Sequence, residues 1–319
     1  MNLTIDGLQR SAQAELRRIG AYVKGAVGVA AQHMESGQML SVDHLDRYPL
    51  ASSVKMAIAL RLLDLMDRGE VRLDQMVDVG HAEMNSYGPI GDEFFYPGVA
   101  LSVMNLLEPM ITRSCNTATD VLFRVCGGAP AVQAHLRRIG IDDFEVTRTM
   151  REALCVLHEI PLPPPDVSER DIMRHQPFEV LDARNRTNAE FHHEQRDHAT
   201  PAAMLMLLRK LWQADGVSAE ARRVLLDVMS RTSTSVDRVQ ARLPRGVPFA
   251  SKGGSGAGTA VDVGYLTLPE GRGTVALAIF IKGSPLDMAS RNRTIADLAR
   301  LVYDWFVLVA EPAQSSSNA

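Results

Sequence analysis

The sequence predicts a mixed α/β (α+β) fold in which a mainly antiparallel sheet is flanked by helices and joined to an all-helical domain. Three observations support this prediction. A helix and a hairpin open the chain, strands and a long helix close it, and the segment between them has mostly helical patterning. Both ends of the chain are therefore expected to build one sheet, which encloses a helical insertion.

The N-terminal elements are an amphipathic helix over residues 5–24 and a hairpin. Apolar residues recur at three-and-four spacing in the helix. Strands are predicted at 27–34 and 39–42, because the segment Glu35-Ser36-Gly37-Gln38 between them has the length and composition of a hairpin turn. A second helix is predicted from Ser52 to about Gly69, a residue type that commonly ends helices.

The middle of the chain keeps this helical character up to about residue 230. Thr200-Pro201 is a good start signal, because a hydroxyl caps free N–H groups and proline is tolerated in the first turn. The segment 160–198 is rich in Pro, Asn, Arg and His, and a loop insertion is predicted at about 142–187. Helices are predicted at 100–112, 117–125, 129–138 and 201–214.

The C-terminal elements return to strands. Segments 261–268 and 275–282 flank a glycine-rich turn, and 287–307 has helical spacing. Together with the N-terminal hairpin they predict a discontinuous α/β domain. The predicted organisation is this domain at 1–46 and 232–313, an all-helical domain at 47–231, and a disordered tail at 314–319.

Composition limits the function classes. The 319 residues carry 34 Lys and Arg against 38 Asp and Glu, a formal charge of −4, so a nucleic-acid partner is not expected. No apolar run approaches the roughly 18–20 residues of a membrane span. We expect a soluble protein, a monomer or weak dimer, whose partner is a small molecule.

Compartment and cofactors are inferred from the N-terminus and the cysteines. The first 25 residues show no apolar export signal, which favours the cytoplasm, although an exported protein that has lost its leader would look the same. The odd count of three cysteines with no CxxC pair argues against a disulfide framework and a zinc site. No metal or other cofactor is expected.

Ser52 and Lys55 are a candidate nucleophile and base. They lie three residues apart at the start of a predicted helix, which places the two side chains on the same face. A lysine that loses its proton through desolvation can accept the proton of the serine and activate it as a nucleophile. The alternative is a helix cap followed by an exposed lysine.

Two later stretches agree with the catalytic interpretation. Ser114-Cys115-Asn116 follows in the helical region, and Lys252-Gly253-Gly254-Ser255-Gly256 opens the first of the late strands. In order and spacing, the three stretches resemble the S-x-x-K, S-D-N and K-T-G motifs of class A β-lactamases and their penicillin-binding relatives. Further matches are Tyr87-Gly88-Pro89 at the cleft mouth, Arg196-Asp197-His198-Ala199-Thr200-Pro201, similar to R-D-T-T-T-P, and residues 232–244 before K-T-G.

The resemblance implies a role for each matching residue. Ser52 attacks the carbonyl, and Lys55 accepts or relays its proton. Ser114 passes a proton to the departing nitrogen, and Lys252 supplies positive potential and holds Ser114. The implied substrate-binding residues are Asn116, Tyr87, Gly254, Ser255 and Arg238, with the backbone N–H groups of Ser52 and Ser255 as the oxyanion hole. Asn116 has an alternative role as a helix-start residue that bonds its own backbone.

The chain departs from the S-D-N and K-T-G motifs at two positions. Cys115 replaces the carboxylate of S-D-N, which indicates a repacked site more than a reactive thiol. Gly253 replaces the hydroxyl residue of K-T-G and removes one hydrogen bond to a substrate carboxylate. Arg238 compensates for this loss if it lies beneath the strand, and is otherwise a surface cation.

The largest departure concerns deacylation. Counting back from Asp197 without gaps aligns Asn188 with the loop asparagine of the family and places Arg184 where its glutamate should be. Glu190 is the candidate replacement base. His192, His193 and Glu194 are further acids and imidazoles of suitable type, and each of them is otherwise a solvated loop residue. The histidine spacing fits no metal site.

Three functions follow from these features. The first is a serine hydrolase that forms an acyl-enzyme on Ser52 and cleaves an amide, with β-lactam ring opening as the default reaction. The second is a penicillin-binding-like acyltransferase, peptidase or esterase with slow or no β-lactam turnover. The third, a non-catalytic binding protein, does not need four residues arranged as Ser52, Lys55, Ser114 and Lys252. The sequence therefore favours the first.

Overall fold

The strands form one main sheet and two short pairs. The computed structural model describes residues 4–96, 98–177, 180, 182, 192 and 196–312. The strands are β1 (Ala26–His33), β2 (Met39–Val42), β3 (Tyr48–Pro49), β4 (Met76–Asp78), β5 (Ala100–Ser102), β6 (His198–Ala199), β7 (Phe249–Gly256), β8 (Thr259–Thr267) and β9 (Thr274–Lys282).

The main sheet joins both ends of the chain. Its strand order is β2-β1-β9-β8-β7, and each neighbouring pair is antiparallel. The short pairs are β3 with β6 and β4 with β5. The predicted fold class, with a mainly antiparallel sheet built from the first and last segments, is confirmed. β7 lies at an edge of the sheet, where its outer side can face a cleft.

Helices cover both faces of this sheet. They are α1 (Ile5–Gly20), α2 (Lys55–Asp67), α3 (Pro89–Glu93), α4 (Val103–Thr112), α5 (Asn116–Val125), α6 (Gly128–Arg138), α7 (Met150–His158), α8 (Glu169–Met173), α9 (Pro201–Gln213), α10 (Ala219–Ser230) and α11 (Met288–Val309). Short 3₁₀ turns are found at Ala21–Val23, Ala51–Val54, His81–Glu83, Val239–Arg242 and Pro269–Gly271.

The alternation of side chains along β9 shows how the sheet separates two cores. Ala276, Ala278 and Phe280 belong to the core that contains the buried residues of α2 and α9. Leu277 and Ile279, which point to the other face, belong to the core formed with α1 and α11. The sheet therefore has a helical layer on each side. Within the described ranges, no helix has the length and apolar character needed to span a bilayer.

Two secondary-structure predictions are wrong. Residues 100–102, predicted as the start of a helix, form β5 because they pair with β4, and the helix begins at Val103 with Ser102 as its cap. The region predicted as a loop insertion contains α7 and α8. The domain boundaries stay a prediction, and the tail at 314–319 lies outside the described residues.

Candidate active site

The hydroxyl of Ser52 is presented by a 3₁₀ turn that leads into α2. The turn spans Ala51–Val54, and Ala51 before the serine has the positive φ of 45°. Such a backbone costs free energy in a non-glycine residue and is found preferentially at functional sites. Lys55 begins α2, has no exposed surface, and places its Nζ 3.2 Å from Ser52 Oγ. An exposed lysine after a helix cap is therefore excluded.

The amine of Lys55 is surrounded by oxygens. Besides Ser52 Oγ, its Nζ lies 2.7 Å from the carbonyl oxygen of Ser114, 3.1 Å from Ser114 Oγ and 2.8 Å from Asn116 Oδ1. An ammonium has three protons for these four oxygens. The Ser52 contact is the longest of the four, and across it a neutral amine can accept the hydroxyl proton.

Ser114 lies between two amines. Its Oγ accepts from Lys55 Nζ at 3.1 Å and from Lys252 Nζ at 3.0 Å. Ser114 has φ of 55°, in the left-handed region, just before the start of α5. The segments that carry Ser52, Ser114 and Lys252 come from distant parts of the sequence, yet one continuous set of hydrogen bonds joins them through Lys55. Such a set can pass protons between the hydroxyls.

Asn116 and Tyr87 form one wall of the site. Asn116 gives its oxygen to Lys55 and donates from Nδ2 to the carbonyl of Ser86 at 2.9 Å. Tyr87 has φ of 61°, stacks on His158 of α7, and places its hydroxyl 3.2 Å from His158 Nε2. Cys115 is fully buried and packs closely against Gly88. A Cβ added at Gly88 would lie only 2.5 Å from the Cα of Cys115. This burial fits the predicted repacking.

A second wall is β7, which passes close to the backbone of the nucleophile. A Cβ added at Gly254 would lie 2.9 Å from the backbone nitrogen of Ser52 and 3.2 Å from Ala51 Cβ. Glycine at 254 therefore allows the strand to approach the turn that carries Ser52. This approach brings residues 254–255 to the side of Ser52, where the backbone N–H groups of Ser52 and Ser255 can serve as an oxyanion hole.

The space that a side chain at residue 253 would occupy is already filled, mainly by Ser235. A Cβ at 253 would lie 2.8 Å from Ser235 Cβ, 2.9 Å from Ser235 Oγ and 3.1 Å from Arg238 Nη1. Arg238 is 3% exposed and donates to the carbonyls of Gly254 and Val261 and to Ser255 Oγ. The arginine lies beneath the strand and is not a surface cation. It also orients the Ser255 hydroxyl.

This packing predicts the effect of restoring the family hydroxyl. We expect Gly253→Thr to lower the free energy of unfolding by about 1–3 kcal/mol, because the new side chain overlaps Ser235 in a filled space. Denaturant unfolding measures the loss. The double variant Gly253→Thr/Ser235→Gly should recover most of it, whereas an equally unstable double variant would contradict the overlap.

Burial shifts the pKa values of two charged residues, Lys252 on β7 and Asp262 on β8. Lys252 has no exposed surface, and burial lowers its pKa well below the ordinary value, with Lys55 and Arg238 acting in the same direction. Asp262 of β8 is equally buried. Burial raises the pKa of its carboxyl to about 7, while the cations of Arg238 and Lys252 oppose that rise. In turn, the Asp262 charge favours the protonated form of Lys252.

Ser52 borders two cavities. The larger is a cleft of about 440 Å³, lined by Tyr87, Ser114, Arg238 and residues 253–255 among others, which is large enough for a small molecule. The smaller cavity has a volume of about 50 Å³ and shares Ser52, Asn116 and Ser255 with the cleft. Since one water needs roughly 10–15 Å³ on such a measure, the small cavity has room for a few waters.

The lining of the small cavity is mainly apolar. Met150, Ala153, Leu154 and Leu157 of α7 form one side of it. Among the described residues that line it, Asp197 is the single carboxylate, and it accepts hydrogen bonds from the backbone of Thr147 and Arg148 and from the Arg148 guanidinium. This carboxylate therefore joins the segment before β6 to residues 147–148, which lie just before α7.

The predicted deacylation base is not tested by this geometry. Glu190 lies outside the described residues, as do Arg184, Asn188, His193 and Glu194. His192 is described and lies near Gly258, at the turn between β7 and β8.

Sequence reasoning missed several residues that support the site. α7 has a capping box in which Thr149 and Glu152 bond each other's backbone N–H groups, and this T-x-x-E pattern was a detectable start signal. Glu169 of α8 is fully buried and accepts from the backbone and hydroxyl of Ser86, beside Tyr87. No comparable local signal marks Ser235 or Glu169, because their partners are distant in sequence.

Comparisons with known proteins agree with this geometry. The model of the beta-lactamase enzyme family matches residues 11–306. A protein named beta-lactamase from Bacteroides uniformis is 28% identical over 291 residues, which cover 88% of this chain and 86% of that protein. The range matched by the family model includes every residue of the hydrogen-bonded set around Ser52.

Solved structures show the same likeness. An ancestral class A beta-lactamase superimposes with a TM-score of 0.76 at 27% identity, over 92% of this chain and 99% of that one. A beta-lactamase from Xanthomonas campestris gives a TM-score of 0.74 at 25% identity, over 95% of this chain and 99% of that one. Both proteins therefore share the fold described above.

Proposed function

Because the chain belongs to the beta-lactamase enzyme family, we propose that it is a serine hydrolase that opens β-lactam rings through an acyl-enzyme on Ser52. One observation carries this proposal. The Ser52 hydroxyl, the Lys55 amine, the Ser114 hydroxyl and the Lys252 amine form one hydrogen-bonded set that opens onto a cleft. These are the groups that nucleophilic attack and proton transfer to a leaving nitrogen require.

The first step is acylation. Lys55 in its neutral form takes the proton of Ser52, and Oγ attacks the lactam carbonyl. The negative charge that develops on the carbonyl oxygen is met by the N–H groups of Ser52 and Ser255. Ser114, which lies within hydrogen-bond distance of both amines, delivers a proton to the nitrogen as the ring opens. The product of this step is an ester on Ser52.

The substrate is held by groups around the cleft. Asn116 offers its side chain to the substrate amide while it contacts Lys55. The Ser255 hydroxyl, oriented by Arg238, lies on the β7 side of the cleft, where it can bind a substrate carboxylate. Tyr87 borders the mouth of the cleft. These roles predict a preference for anionic substrates over their neutral esters.

A second function is favoured by the apolar side of the small cavity. Met150, Ala153, Leu154 and Leu157 leave few polar groups to hold a hydrolytic water near Ser52. The family chemistry would then stop at a long-lived acyl-enzyme, as in a penicillin-binding-like acyltransferase, peptidase or esterase. The two functions share acylation and differ in the rate at which the ester is lost.

One experiment separates these functions. The wild-type chain is mixed with a penicillin, and ring opening is followed by absorbance while samples are taken for intact-mass measurement. Hydrolysis beyond one equivalent supports the hydrolase, and a stoichiometric adduct without turnover supports the second function. Neither an adduct nor turnover, with several penicillins and simple activated esters, would contradict both.

A further inference from the structure

The helix α7 presents an apolar stripe to the small cavity beside the nucleophile. Met150, Ala153, Leu154 and Leu157 follow one another at helical spacing, and all four line this cavity together with Ser52. Residues three and four apart lie on one face of a helix, and an apolar face of this kind normally packs only against the core. Here the same face also borders a space of about 50 Å³.

Hydrogen bonds and packing hold α7 in place at this cavity. Asp120 of α5 is buried and accepts from the backbone nitrogens of Met150 at 2.6 Å and Arg151 at 3.0 Å. Leu154 belongs to a buried apolar cluster with Ala257, in the turn between β7 and β8. Because the wall is fixed on both sides, an occupant of the cavity does not have to order it, and less free energy of binding is lost.

The polar residues on the cavity lining are engaged within the protein. Asn116 uses both the oxygen and the nitrogen of its amide in hydrogen bonds to other residues. Arg148 forms an ion pair with Asp197, so these two charges balance. Arg196, the other cation on the described lining, is exposed to solvent. An apolar occupant therefore suits the cavity better than a charged one, which would need a partner of its own.

The two cavities separate the substituents of a carbonyl carbon that reacts at Ser52. Both cavities border Ser52 and Ser255, whose N–H groups receive the carbonyl oxygen. The leaving group lies in the cleft, because its proton donor Ser114 lines the cleft and is not among the described residues of the small cavity. The third substituent, on the acyl side of the substrate, then faces α7.

We propose that the small cavity is the acyl subsite and selects substrates that carry a short apolar group on the reacting carbonyl. At roughly 10–15 Å³ for each water, and about one non-hydrogen atom in place of each water, the cavity accommodates an alkyl group of about three to five carbons. The substrate class is therefore esters and amides, lactams included, with a short alkyl group next to the carbonyl. This inference rests on the proposed function, because it needs acyl transfer to Ser52.

The test uses para-nitrophenyl esters of straight-chain acids from ethanoate to decanoate. In each reaction Ser52 Oγ bonds the carbonyl carbon, nitrophenolate leaves, and the serine proton passes to Lys55. Nitrophenolate release gives kcat/KM for acylation, which is divided by the rate of the same ester with hydroxide to remove differences in intrinsic reactivity. We expect the wild-type value to rise about fourfold for each added carbon, to an optimum between butanoate and hexanoate, and not to rise further at octanoate.

Two variants of α7 should shift this optimum in opposite directions. Ala153→Leu places a larger side chain in the cavity, so the ratio of the hexanoate value to the ethanoate value should fall at least about tenfold. Leu157→Ala enlarges the cavity, so the optimum should move to octanoate or a longer ester. Opposite shifts cannot arise from a general loss of stability, because unfolding lowers the rate with every ester alike.

Leu136→Ala is the matched control. Leu136 is fully buried on α6 and is not among the described residues that line either cavity, so this variant should lose stability and keep the wild-type optimum. A flat wild-type profile from ethanoate to decanoate, or the same optimum in both α7 variants, would contradict the acyl subsite and leave the proposed function intact. No nitrophenolate release above the Ser52→Ala background, together with no penicillin adduct, would instead refute the proposed function itself.

Discussion

Ser52→Ala is expected to lower kcat/KM for a penicillin by at least about 10⁴-fold and to abolish the covalent adduct. The hydroxyl is the group that forms the ester, and the remaining oxyanion hole and cleft contacts leave some non-covalent catalysis at most. Steady-state hydrolysis gives the rate loss. Circular dichroism and thermal unfolding should show that the fold is kept, since removing one hydroxyl leaves α2 and its turn intact.

The neighbouring serine provides a matched control for this prediction. Ser53 is fully buried, and its hydroxyl donates to the carbonyl of Leu50 at 2.6 Å. Ser53→Ala should therefore form the adduct and should lose stability by about 1 kcal/mol through the missing hydrogen bond. A Ser52→Ala variant that still forms the adduct would move the nucleophile to another residue.

Lys55→Ala is expected to slow acylation by about 10²–10⁴-fold, the usual contribution of a general base. The Lys55 amine lies 3.2 Å from Ser52 Oγ, within reach of its proton. It also forms hydrogen bonds with Ser114 and Asn116 that fix the positions of these side chains. Stopped-flow acylation over a range of pH measures the effect. In the variant, the acylation rate should no longer show the pH dependence that protonation of the Lys55 amine causes.

Lys210→Ala is the control for removal of a lysine charge. Lys210 lies on α9 and forms an ion pair with Asp215, away from the residues that line the cleft. Its replacement should leave acylation unchanged. An acylation rate in Lys55→Ala equal to that of wild type would exclude Lys55 as the base and would leave Lys252 as the remaining amine in the set.

Much of the fold could be predicted because its signals are local. The hairpin of β1 and β2, the helix that begins near Lys55, and the late strands follow from apolar spacing and turn residues within short windows. β5 was predicted as helix because three residues carry little periodicity and their pairing with β4 is set by tertiary contacts. α7 and α8 lie on either side of the proline-rich run at 161–165, whose composition predicts a loop.

The candidate site divides in the same way. Ser52, Lys55, Ser114, Asn116 and Lys252 lie in linear motifs, so their sequence pattern suffices to select them. Residues that act through tertiary packing carry no such pattern. Ser235, for example, fills the space beside Gly253 because the folded chain brings the two residues together. Similarly, the burial of His198 depends on the pairing of β3 with β6, which no local window contains.

The most direct test of the account locates the covalent bond. The wild-type chain is incubated with a penicillin, quenched in acid during turnover, digested, and analysed by tandem mass spectrometry. The account predicts one added penicilloyl group on the peptide that contains Ser52, with fragment ions that place it on that serine. An adduct on another residue, or turnover with no adduct on any peptide, would contradict it.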